Sequence, residues 1–83
     1  MVNEIETVVL EKLYRHGYIG GRHTAVESLV KGLPKHLRGE VKKTVKKLAR
    51  EGWITQKPTS YGLQISLNPR VIPEVERILG IEG

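Results

Sequence analysis

The 83-residue chain has no cysteine and no phenylalanine, and all nine of its acidic residues are glutamates. Without cysteine there are neither disulfides nor thiol nucleophiles, which fits a reducing compartment and leads us to expect a cytoplasmic protein. His16, His23 and His36 do not fall into metal-ligand spacing, and there is no cysteine or aspartate to complete a site with them. The three serines, Ser28, Ser60 and Ser66, lie outside any nucleophile motif, and a chain this short leaves little volume for a substrate pocket. Gly20-Gly21-Arg22 lacks the surrounding pattern of a phosphate-binding loop. Neither an enzyme nor a cofactor or metal site is therefore expected. No segment approaches the ~20 apolar residues that span a bilayer. Glu4 and Glu6 make the first residues a poor signal peptide. Asparagine and glutamine are scarce (Asn3, Gln56, Gln64, Asn68) beside abundant Lys, Arg and Glu, a bias that leans towards a thermophilic source.

Positive charge is plentiful, and it is concentrated. The net charge is +5. From position 31 to 57 there are nine Lys or Arg and only Glu40 and Glu51 against them, while the remainder of the chain is net acidic. One side of the molecule is thus expected to face an anionic partner, and nucleic acid is the commonest one for a small basic domain. A membrane surface fits less well, because no helix pairs a basic face with exposed Trp or Phe.

One domain over 1–83 is expected from the length. Asn3 caps a first helix running to about His16, with Ile5, Val9 and Leu13 on one face and Gly17 as its stop. Tyr18 to Gly21 reads as a short edge strand. Thr24 and Glu27 have the spacing of a capping box for a second helix of about two turns, which ends at Gly32-Leu33-Pro34. Leu37 to Glu51 reads as a third helix with apolar Leu37, Val41, Val45 and Leu48. Lys42, Lys43, Lys46, Lys47 and Arg50 fill an arc of about 140° roughly opposite. Gly39 disfavours the first turn, so the regular helix can begin only there, after an irregular turn at Pro34 to Arg38. Trp53 to Gln56 and Leu63 to Leu67 read as the strands of a hairpin around a turn at Lys57 to Gly62, with Trp53 directed to the core. Asn68-Pro69 begins a last helix, irregular to Ile72 and regular from Pro73 to about Leu79.

This order of elements, the charged third helix, and Glu51-Gly52-Trp53-Ile54 leading into a hairpin resemble the winged helix-turn-helix family, in the form of its small archaeal-type members. The resemblance covers nearly the whole chain. It implies an α+β fold with a three-helix core, a two-stranded β-hairpin wing at 53–67 and a C-terminal helix. It also implies a double-stranded DNA-binding protein, a transcriptional regulator or chromatin-associated factor. The third helix would lie in the major groove, with the wing at Lys57 to Gly62 on the adjacent backbone. By position, the contacts fall to Lys42, Lys43, Lys46, Lys47 and Arg50, with Lys35, Arg38, Lys57, Thr59 and Tyr61 flanking them.

Two features depart from the family. The turn at Lys31 to His36 is longer than in the tightest members. The third helix also exposes lysine rather than the Arg, Asn or Gln that make bidentate contacts to base edges. Lysine is a flexible point charge that suits phosphate. Five neutralised phosphates would give a slope of log K against log salt of roughly −4 to −5. A homodimer is compatible with duplex half-sites, with the first and last helices as its candidate interface. Two other readings use the same face: an RNA- or ribosome-binding winged helix, and a protein-interaction module that docks an acidic partner.

Overall fold

The computed structural model describes residues 3–81, so the outermost two residues at each end of the expected 1–83 domain lie outside the described residues. The class is α+β. Five helices, α1 (Glu4–Arg15), α2 (Val26–Lys31), α3 (Lys35–Arg38), α4 (Val41–Arg50) and α5 (Ile72–Leu79), surround an antiparallel sheet of β1 (Thr24–Ala25), β2 (Ile54–Thr59) and β3 (Gly62–Leu67). The strand order is β1-β3-β2.

The first helix starts as its cap residue dictates, with one addition. Asn3 accepts from the Glu6 backbone N–H at 2.9 Å, and the Glu6 carboxylate accepts from the Asn3 N–H at 2.8 Å, completing a reciprocal box. Its end and that of α4 share one device. Gly17 (φ 73°) and Gly52 (φ 86°) occupy the left-handed region. The following N–H groups of Tyr18 and Trp53 then reach back to Leu13 O and Leu48 O at 2.9 Å.

The expected box at Thr24 does not form. Thr24 is a strand residue facing Ile65, and Ala25 occupies the N-cap of α2 without a side-chain bond. Pairing to β3 claims the backbone that capping would have required. The same pairing makes the sheet three-stranded rather than a two-stranded hairpin. The edge strand expected at Tyr18 to Gly21 reduces to a single parallel bridge, Ile19 to Leu67. The hairpin strands are longer than expected. Lys57 and Pro58 belong to β2, opposite Gln64 and Leu63, and the turn contracts to Thr59 to Gly62. Proline is tolerated there because β2 is an edge strand.

The helix read over 37–51 is divided, and its regular part begins just past Gly39, as that glycine predicts. Lys35–Arg38 forms one turn, and α4 starts at Val41 after Gly39 and Glu40. Arg38 folds back, donating to Leu33 O at 3.0 Å and Lys31 O at 3.1 Å, so its guanidinium satisfies carbonyls at the end of α2.

The core gathers Val9, Leu10 and Leu13 of α1, Val41, Val45 and Leu48 of α4, Ile65 and Leu67 of β3, and Val75 of α5, all essentially inaccessible. Leu10 joins the apolar face expected on α1, and Trp53 packs against the cluster half-buried rather than inside it. Tyr14 ties α1 to α5 by donating its hydroxyl to Glu76 at 2.6 Å, and that carboxylate raises the phenol's pKa above its ordinary value.

Candidate functional site

The site is built on α4. Val41, Thr44, Val45 and Leu48 are buried, so the helix is fixed to the core along one side. At about 100° per residue, Lys43, Lys46 and Arg50 then fall within about 60° of one another on the opposite crest, all exposed. They run along about 10 Å of helix axis and form no ion pair among the described residues.

Lys42 and Lys47 lie about 70° to either side of that crest, and each meets a glutamate from a neighbouring helix. Lys47 Nζ is 2.7 Å from Glu6 Oε2, whose side chain is 2% exposed. Lys42 Nζ is 3.4 Å from Glu27 Oε1, with both side chains 72% exposed. These pairs are not equivalent. The exposed pair is screened by water and contributes at most about 1 kcal/mol, so a phosphate competes easily for Lys42. Withdrawing Lys47 would strand a carboxylate in the protein interior, which is far more costly. The adjacent Lys47 ammonium holds the Glu6 carboxyl below its ordinary pKa, outweighing the upward push of burial, and the same contact raises the pKa of the Lys47 ammonium. Lys47 is thus a structural cation, and Lys42 one that a ligand can recruit.

The remaining residues singled out in the sequence are spread around this crest. Lys35 is exposed on α3, while Arg38 is committed to the carbonyls of Lys31 and Leu33. Lys57 is exposed on β2. Thr59 serves the turn, donating to Gly62 O at 2.7 Å and accepting from the Tyr61 N–H at 3.2 Å. Tyr61 sits at the hairpin tip, 94% exposed. A cleft of about 410 Å³ separates this tip from α2 and α4, and Lys42 and Lys46 stand on its helix side.

Sequence reasoning did not anticipate Glu6 and Glu27 as partners of the basic face. Glu6 carries a readable signal, the Asn3-x-x-Glu6 spacing of a capping box. For Glu27 no local signal exists, because its pairing depends on how α2 packs beside α4. Among the described residues no His, Cys, Asp or Glu cluster could hold a metal ion, and no helix is long and apolar enough to cross a membrane.

No family model, curated protein or solved structure matches this chain.

Proposed function

We propose that the protein binds double-stranded DNA as a winged helix-turn-helix, with α4 entering the major groove and the β2–β3 hairpin acting as the wing. The observation that carries this reading is the crest of Lys43, Lys46 and Arg50. These exposed cations lie on the side of α4 facing away from the core, on a helix whose opposite side is buried. The major groove, about 12 Å wide, admits a helix presented in this way. The order α1-β1-α2-α3-α4-β2-β3 and the strand order β1-β3-β2 support the assignment of the hairpin as a wing beside that helix.

The chemistry of the crest favours phosphate over base edges. Two of its three residues are lysines, which deliver charge without the planar fork that reads guanine. Affinity would come chiefly from counterion release, with modest discrimination among sequences. Such a protein would suit transcriptional regulation or chromatin association through position on the backbone and DNA shape.

The direct test is anisotropy of a labelled random-sequence duplex titrated with the wild type and with K43E/K46E/R50E. Reversal of the crest should abolish measurable binding while leaving the thermal midpoint nearly unchanged, since all three side chains are exposed. Binding by the triple variant within twofold of the wild type would refute the reading. A structured RNA competitor that displaces the duplex at equal concentration would transfer the site to RNA.

A further inference from the structure

We infer that the cleft between α2, α4 and the hairpin tip receives an unpaired nucleotide, so that the preferred ligand is a duplex carrying a single-stranded extension or a bulge. This rests on the reading of α4 as the duplex contact.

The cleft has the composition of a nucleotide site. Its floor is apolar, made by Val26, Val45 and Leu63. One rim is cationic and the other carries an aromatic ring. Its volume of about 410 Å³ lies within the ~300–1,000 Å³ range of small-ligand sites. Lys46 belongs both to the crest and to the cleft rim, so a strand whose backbone is held on the crest passes directly beside the opening. Glu27 is also on the rim and pairs weakly with Lys42, so Lys46 is the rim cation that meets an incoming phosphate without first breaking an ion pair.

Tyr61 decides which form of nucleic acid fits. The turn is closed by Thr59, through its bonds to Gly62 O and the Tyr61 N–H. The tyrosine ring is not needed for that, yet it stands 94% exposed at the tip. An aromatic ring offered in this way binds the face of a base. Inside a duplex, base faces are covered by their neighbours, and only an unpaired base has a face to give. The apolar floor then covers the rest of that base, while its phosphate stays at Lys46.

The test compares one blunt duplex with the same duplex bearing three-nucleotide 3′ or 5′ overhangs, at fixed salt, for the wild type, Y61A and Y61F. The wild type should bind at least one overhung form about tenfold more tightly, the scale of a single base–aromatic stack. Y61A should erase that preference, weakening the overhung forms several-fold more than the blunt duplex, whereas Y61F should retain it. A 2-aminopurine in the overhang should change its emission with the wild type and Y61F but not with Y61A. Equal wild-type affinity for blunt and overhung duplexes, or equal weakening of both by Y61A, would overturn the inference. The crest variant K43E/R50E, which leaves Lys46 on the cleft rim untouched, separates the two claims. Blunt binding that depends on the crest, without any overhang preference, leaves α4 as the contact and removes the cleft. A Tyr61-dependent overhang preference that survives crest reversal keeps the cleft and removes α4.

Discussion

Lys47 Nζ lies 2.7 Å from the buried Oε2 of Glu6, joining the basic face of α4 to the first turn of α1. Through Asn3, the same carboxylate also closes the capping box of α1. One glutamate therefore starts a helix, anchors the candidate binding helix beside it, and withdraws one cation from the outward face.

That relationship predicts a pH-dependent stability. The Glu6 carboxyl is held below its ordinary pKa by Lys47, so between the two values the unfolded chain binds more protons than the folded one. The stabilisation is complete above the ordinary glutamate value of ~4.3 and is lost as pH falls through the lower folded value. Glu6→Gln keeps the capping geometry but not the charge. It should lower stability by about 1 kcal/mol at pH 7, a figure discounted because Lys47 is half-exposed. The difference should close in acid, below the ordinary glutamate range. Urea denaturation of both proteins at pH 7 and pH 2.5 checks this, and a gap of equal size at both would contradict it.

A second prediction concerns the break before α4. Gly39 has φ −67° and ψ −19°, and a Cβ placed there meets nothing within 4 Å. Its glycine is a matter of chain entropy and helix propensity rather than of space. Gly39→Ala should stabilise the protein by about 0.5–1 kcal/mol, raising the thermal midpoint by a few degrees. A lower midpoint would mean that the break itself is required.

How far the sequence reveals the site follows from these particulars. The glycine stops of α1 and α4 at Gly17 and Gly52, the β2–β3 hairpin and the core face of α4 are local, and each could be read from spacing and turn chemistry. The weakness of the third helix at Gly39 was also legible. What was hidden depends on contacts distant in sequence. Thr24 has the spacing of a cap, yet it pairs with Ile65, 41 positions away. Lys42 and Lys47 sit in a single cationic arc, but only the packing of α2 and α1 shows that Glu27 and Glu6 occupy them. Arg38 is spent on carbonyls for the same reason.

The Lys42–Glu27 pair leads to a third prediction. Both partners are 72% exposed, so their attraction is small but sets the availability of Lys42. Glu27→Gln should free Lys42 and remove a rim charge, tightening duplex binding by a few-fold, within the ~1 kcal/mol scale of an exposed pair. Fluorescence anisotropy at low salt would show the change. Weaker binding by the variant would mean that Glu27 contributes a contact of its own.

The salt dependence of duplex binding tests the central claim most directly, because it counts the cations that meet phosphate. Three crest residues, with Lys42 recruited as a fourth, give a slope of log K against log salt between about −2.7 and −3.6, shallower than five free cations would give. Lys46→Gln should flatten the slope by about one unit, and Lys47→Gln should leave it unchanged while destabilising the fold. A wild-type slope near zero, or a slope that responds to Lys47→Gln but not to Lys46→Gln, would contradict the account.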